Sequence, residues 1–161
     1  MLIVSCVLIL VALTAFFNGV LDRQSNPNRR PASSVDIAGV REVVLERNRQ
    51  GHYVSSGAIN GVAVQFLLDT GATDVAIPFE VARQTNLSLG YEGRARTANG
   101  STVVYDAHID ELQLGSITLQ DIDASIVPNM GGETILLGMS ALQQIEFSQR
   151  GTSLTLRQYP N

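Results

Sequence analysis

The sequence predicts an all-β domain carrying one or two short helices, set behind an apolar N-terminal helix. Three observations carry this reading. Asn60-Gly61 and Asn99-Gly100 each join segments of strand character, and both residues of such a pair tolerate the positive φ that a two-residue hairpin needs. Usage is β-branched and glycine-rich, with 14 Gly and no Trp, so a core must be built from Val, Ile and Leu. Leu2 to Leu21 carries no charged side chain, and about 20 apolar residues suffice to span a bilayer as a helix.

Within that first stretch the polar residues are Ser5, Thr14 and Asn18. Cys6 lies inside it and reads as a small apolar residue. A cleaved signal peptide would show a basic n-region and a small-x-small site. Neither stands here, so residues 1–21 read as an uncleaved transmembrane anchor, with membrane contact through residues 2–21. Arg23, Arg29 and Arg30 follow the span, and the positive-inside rule would hold what comes next in the cytoplasm. Residues 22–39 are rich in Asn, Pro, Arg and Ser without an apolar period and read as a flexible tether. A domain over residues 40–161 follows.

Its elements are short. Arg41 to Arg47 reads as a strand, turned at Asn48 to Gly51, and His52 to Ile59 as a second. After Asn60-Gly61, Val62 to Leu68 puts Val62, Val64, Phe66 and Leu68 on one face. Asp74 to Ile77 is a short strand. Pro78 opens a helix to about Asn86, since a missing N–H costs nothing in a first turn. Arg94 to Ala98 and Ser101 to Leu114 flank Asn99-Gly100. The long return strand shifts phase between Ile109 and Leu112, which predicts a bulge near Asp110 and Glu111. Gly115-Ser116 turns into Ile117 to Val127, and Pro128 to Thr134 is a loop. Ile135 to Gly138 is a strand, Met139 to Gln144 a short helix, and two final strands meet across Arg150-Gly151.

Composition excludes several functions. Net charge is −4 and the pI about 5.0, so no basic stripe awaits a nucleic acid. One Cys permits no intrachain disulfide, and two scattered His with it make no zinc site. Asp106, His108 and Asp110 alternate on one strand. They read as a solvated face, because metal ligands converge from more than one element. There is no Gly-x-Ser-x-Gly, phosphate loop or His-Glu-x-x-His. No metal or organic cofactor is implied.

The chemistry lies in Asp69-Thr70-Gly71-Ala72, where an apolar strand delivers a carboxylate straight into a tight turn. Asp-Thr-Gly alone arises by chance in roughly one chain of this length in thirty, and an Asp can simply cap local N–H groups of a strand-end turn. The weight comes from context. Phe66-Leu67-Leu68-Asp69-Thr70-Gly71 is echoed by Ile135-Leu136-Leu137-Gly138, each an apolar strand ending in a glycine turn and followed by a short helix.

These residues, with Thr97-Ala98-Asn99-Gly100 and Leu136-Leu137-Gly138-Met139-Ser140-Ala141-Leu142, resemble the retropepsin-like aspartic proteases. The resemblance is closest to the bacterial membrane-anchored single-domain type and covers about residues 50–157. It implies a pepsin/retropepsin-like closed β-barrel half-lobe. It also implies an aspartic endopeptidase that is active as a homodimer, because this chemistry needs two carboxylates and the chain has one such motif. Asp69 would supply one carboxylate per subunit, Thr70 would lock the two turns together, and Gly71 would offer its N–H to the dyad. Ala72, Thr73 and Asp74 would meet the substrate main chain, with Asp74 read equally as a plain surface carboxylate. Ala98, Asn99 and Gly100 would form a flap tip over an extended protein or peptide substrate. Tyr91 and Tyr105 are the candidates for a flap tyrosine. Many relatives carry Ser where Ala72 stands. Losing a hydroxyl bonded to the ionised carboxylate implies a weakly acidic to neutral optimum.

The same resemblance implies a single-pass protein of the bacterial inner membrane with a periplasmic protease domain, against the arginines after the span. Two other function classes compete. One is a non-catalytic dimeric domain of this fold that binds peptide strands. The other is a structural all-β domain with a fortuitous turn.

Overall fold

Asn60 and Gly61 adopt φ of 49° and 79°, the left-handed pair that a two-residue hairpin requires. They join β3 (Val54–Ile59) to β4 (Val62–Leu68) in antiparallel register from Ile59 opposite Val62 to Val54 opposite Leu67. The structure is a computed structural model that describes residues 2–97 and 100–160. Ahead of this hairpin run α1 (Leu2–Ser25), β1 (Ala32–Val35) and β2 (Arg41–Glu46). After it come β5 (Val75–Pro78), α2 (Phe79–Gln84), β6 (Glu92–Thr97), β7 (Gly100–Leu114) and β8 (Ile117–Val127). The chain closes with β9 (Thr134–Leu137), α3 (Met139–Leu142), β10 (Glu146–Arg150) and β11 (Ser153–Gln158).

Among the described residues the strands form two sheets. The larger has the order β3-β4-β9-β5-β8-β7-β6, with β7 pairing back onto β3. The smaller has the order β1-β2-β11-β10. The apolar alternation read from the sequence becomes one core. Phe66, Ile77, Ile109, Ile122, Ile126, Ile135 and Leu137 are buried from the larger sheet, and Val43, Leu45 and Leu156 join them from the smaller. Each such side chain contributes about 1.5–3 kcal/mol relative to exposure. In β4, Phe66 is fully buried while Val64 and Leu68 pack against the core partly exposed.

The phase shift in β7 falls where expected but is not a bulge. Ile109 pairs with Ile122 and Glu111 with Gln120, leaving one residue on each strand, Asp110 and Asp121, between the pairs. Asp121 takes φ 55°. The cause is tertiary: Asn60 N–H donates to the Glu111 carbonyl at 2.9 Å, and Glu111 N–H donates to Asn60 Oδ1 at 3.0 Å. β7 is thereby drawn onto the β3–β4 turn.

The N-terminal expectations change most. Among the described residues no helix is long and apolar enough to cross a membrane. This overturns the anchor through residues 2–21, and with it the single-pass inner-membrane placement with a periplasmic domain. The physical reason is composition. Ser5, Thr14 and Asn18 interrupt the stretch, and its longest run free of polar side chains is Cys6 to Leu13, where a span wants about 20 predominantly apolar residues. The helix then continues through Asp22, Arg23 and Gln24 to Ser25.

The segment expected to be a free tether is instead clasped to the sheets. Asn28 is buried, 4% exposed. Its Nδ2 donates to the carbonyls of Glu46 (2.9 Å) and Val54 (2.7 Å), and its Oδ1 accepts from Glu46 N–H (2.7 Å). One side chain therefore ties β2 to β3. Asn26 Nδ2 donates to Ser56 Oγ and Gln65 Oε1, each at 3.2 Å. β1 then pairs with β2 from Ala32 opposite Val44 to Val35 opposite Arg41. Its sequence, Ala-Ser-Ser-Val, has no strand signal of its own, and the pairing supplies the order. Asn28→Ala would leave Glu46 N–H and Val54 C=O without these partners. The expected loss is about 2 kcal/mol, read as a lower urea midpoint with unchanged slope.

Candidate active site

The two apolar strands that echo each other in sequence lie side by side. β4 and β9 run parallel with Leu68 beside Leu137, so both glycine turns emerge at the same end. Asp69 N–H donates to the Leu137 carbonyl (3.1 Å), and Leu68 N–H donates to the Tyr53 carbonyl (3.0 Å). Past the turn, Met139 N–H donates to the Ala72 carbonyl (2.9 Å) and Ser140 N–H to the Thr73 carbonyl (2.8 Å). Ser140 Oγ accepts from Val75 N–H (3.0 Å) and donates to the Asp123 carbonyl (2.7 Å). The Asp69 turn is thus held from behind by the start of α3.

Gly138 makes this approach possible. A Cβ there would lie 2.1 Å from the Asp74 carbonyl oxygen and 2.8 Å from that of Ala72. The Leu-Leu-Gly-Met-Ser stretch signals this in sequence, although the role of the Ser140 hydroxyl does not show there.

The Asp69 carboxylate is half-buried and accepts a hydrogen bond from Gly71 N–H at 2.9 Å. That bond orients the group. Thr70 and Gly71 are exposed, and among the described residues the Thr70 hydroxyl has no hydrogen-bond partner. Ala72 and Asp74 are partly buried and Thr73 is exposed. Asp74 Oδ2 accepts from Ser125 Oγ at 3.4 Å.

Asp69 and Thr70 border a cavity of about 340 Å³ whose other walls include Tyr53, Leu68, Phe147 and Leu154. Sequence reasoning did not single out Tyr53 or Phe147. Tyr53 directly precedes β3 and reaches Leu68 through the β3–β4 hairpin, whereas Phe147 arrives on β10, distant along the chain. The Arg47 guanidinium carbon lies 5.6 Å from the Tyr53 ring centroid, a cation–π contact. Among the described residues the buried Tyr53 hydroxyl has no partner.

Other expected site residues are dispersed. Ala98 and Asn99 lie outside the described residues. Gly100 opens β7, and its carbonyl accepts from Thr97 Oγ1 at 2.8 Å. Tyr91 is 87% exposed, and Tyr105 Oη donates to Glu92 Oε2 at 3.4 Å. Neither tyrosine lines the cavity beside Asp69. His108 faces the adjacent strand, with Nε2 3.4 Å from Asp121 and Nδ1 4.0 Å from Asp123. Away from the cavity, the hydrogen bond and charge of Glu42 raise the pKa of Arg157, and those of Glu146 raise that of Tyr159.

Comparison with known proteins places these features. Residues 55–144 match the family described as gag-polyprotein putative aspartyl protease. An uncharacterized protein in the cobV 5' region of Sinorhizobium sp. is 32% identical over 120 residues, 73% of this chain and 52% of that protein. An uncharacterized protein of Rickettsia prowazekii is 29% identical over 111 residues, 66% of this chain and 47% of that protein. The chain spans about half the length of the curated relatives it matches. The crystal structure of a retropepsin-like aspartic protease from Rickettsia conorii superposes with a TM-score of 0.65 at 26% identity, covering 80% of this chain and 96% of that one.

Proposed function

Because the chain belongs to the gag-polyprotein aspartyl protease family and has a retropepsin-like fold, we propose that it is an aspartic endopeptidase active as a homodimer. The observation that carries this reading is a single half-buried carboxylate, Asp69, oriented by Gly71 N–H at 2.9 Å. Peptide hydrolysis by this chemistry needs two carboxylates, and two of them about 3 Å apart cannot both ionise. Asp69 of each copy therefore shares one proton. The ionised carboxylate takes a proton from water as the water attacks the scissile carbonyl. The protonated one polarises that carbonyl and then protonates the leaving amine. Water is the nucleophile, and the reaction so written calls for no cofactor.

Thr70, exposed and free to bond across the dimer, locks the two turns. Gly71 keeps the backbone close to the dyad. Ala72, Thr73 and Asp74 contact the main chain of an extended protein or peptide segment. Ala98, Asn99 and Gly100 close over it as a flap tip, one flap per subunit. The catalytic unit is residues 40–161, with the segment before it clasped on through Asn28.

The test is to incubate the whole chain with a diverse peptide mixture from pH 4 to 8 and read cleavage by mass spectrometry. Cleavage that disappears in Asp69→Asn supports the reading. No cleavage at any pH by a chain that dimerises and retains peptides would favour a strand-binding domain. Ala72→Ser is expected to move the acidic limb of the activity profile to lower pH, because a hydroxyl bonded to an ionised carboxylate favours its charged form. An unchanged limb would mean that residue 72 does not reach the dyad.

A further inference from the structure

Resting on the endopeptidase reading, we propose that a pole of arginines beside the Asp69 cavity captures acidic side chains of the substrate outside the segment that is cut. The enzyme would then select extended segments flanked by Asp or Glu. The pole is assembled by the fold. Residues 25–31 and 46–52 hold Arg29, Arg30, Arg47 and Arg49 against one carboxylate, Glu46, in a chain whose net charge is −4. All four arginines are exposed.

Buried amides fix the two segments against each other. Asn28 Nδ2 donates to the Glu46 carbonyl (2.9 Å), and Asn28 Oδ1 accepts from Glu46 N–H (2.7 Å). Asn48, 8% exposed, donates from Nδ2 to the Ser25 carbonyl (3.0 Å). Its Oδ1 accepts from Gln50 and His52 N–H at 3.0 and 2.9 Å. The turn bearing Arg47 and Arg49 is thereby held beside the segment that leads into Arg29 and Arg30. A backbone ordered before the ligand arrives lowers the cost of binding.

The guanidiniums of this pole are not neutralised in place. Arg83 pairs with Glu80 at 2.9 Å, and Arg157 lies 2.8 Å from Glu42 and 3.7 Å from Glu146. Among the described residues no carboxylate pairs with Arg30, Arg47 or Arg49. Arg49 donates to the neutral Gln24 Oε1 at 2.8 Å, and Arg47 lies over the Tyr53 ring. Glu46 accepts from Ser153 Oγ at 2.8 Å. The planar guanidinium fork matches a carboxylate with two parallel hydrogen bonds, as an ammonium does not, and the chain contains no Lys.

Placement selects the occupant. Tyr53 carries Arg47 on its ring and lines the cavity that Asp69 borders. Its carbonyl accepts from the N–H of Leu68, the residue before Asp69, at 3.0 Å. The pole thus begins one side chain from the site where a polypeptide is cut. The charges that a polypeptide can offer to arginines there are those of Asp and Glu.

The test takes a peptide that the whole chain cleaves and extends it with a run of Glu or of Gln. At low ionic strength the Glu-extended form is expected to show a kcat/KM about tenfold higher, carried by KM, since several exposed ion pairs each add a little. The advantage should shrink as salt is added, and fall to about twofold or less in Arg30→Gln/Arg47→Gln/Arg49→Gln. The ratio between peptides is the readout, so a variant with a lower overall rate still reports. Arg30→Glu/Arg49→Glu should shift the preference towards a Lys-extended form. Equal cleavage of the Glu and Gln forms at low salt, or a preference that survives the triple substitution, would overturn the proposal.

Binding is read separately, by fluorescence anisotropy of the labelled Glu-extended peptide on Asp69→Asn. Retention that the triple substitution abolishes, with no cleavage by wild type, would keep the arginine pole and sink the protease. Cleavage indifferent to charge would keep the protease and sink the pole. An oligonucleotide or a phosphatidylserine vesicle bound more tightly than the peptide at equal charge would overturn the assignment to an acidic polypeptide.

Discussion

Asp69→Asn is expected to abolish hydrolysis and leave the fold intact. The substitution keeps the volume, and an amide oxygen can still accept the Gly71 N–H that the carboxylate accepts at 2.9 Å. What is lost is the ability to take and return a proton. One positioned acid–base group contributes roughly 10²–10⁴-fold, and in a homodimer a single codon removes both members of the dyad. Activity should fall at least about 10⁴-fold, with a melting temperature and circular dichroism like wild type. Mixing gives a sharper reading. In an equal mixture of wild type and Asp69→Asn with free subunit exchange, only about one quarter of the dimers carry two carboxylates. Activity should fall to about a quarter of that of an all-wild-type sample, where a monomeric enzyme would keep half. Residual cleavage by the pure variant would put the catalytic carboxylate elsewhere.

Gly138→Ala is expected to have the largest effect on stability. The added Cβ would stand 2.1 Å from the Asp74 carbonyl oxygen and 2.6 Å from its carbon. Both are backbone atoms, so no flexible side chain can yield. Relief requires separating the Asp69 turn from the start of α3, which breaks the Met139-to-Ala72 and Ser140-to-Thr73 hydrogen bonds. The expected loss is about 3 kcal/mol or more, measured by urea unfolding. Activity should fall further than the folded fraction, because the surviving folded molecules hold Asp69 in a displaced turn. A variant as stable as wild type would show that the two turns do not need this close approach.

Much of the larger sheet was legible because its signals are local. Asn60-Gly61 dictates a hairpin wherever the flanking residues alternate, and β4 emerged where Val64, Phe66 and Leu68 share a face. α2 and α3 begin where Pro78 and Gly138 stand. β1 was not legible, since four small or polar residues become a strand only when β2 offers its edge. Residues 22–39 read as a tether for the same reason. The polarity that suggests a solvated linker also lets Asn28 bond across two strands. The N-terminal stretch misled in the opposite sense. Freedom from charge was taken as sufficiency for a span, while its scattered polar residues cut the apolar run short.

The sequence by itself determined that Asp69 stands at the end of an apolar strand in an Asp-Thr-Gly turn, and that one chain holds one such group. Both follow from residue identity and period. Tertiary structure alone decided what stands around that group. Phe147 and Leu154 reach the cavity beside it and Ser140 braces it from behind, because β9 pairs with β4 and β11 with β2, strands far apart along the chain. Turn and alternation signals act over a few residues, whereas the walls of this site depend on which strand edges meet. That choice is made by burial of the whole core.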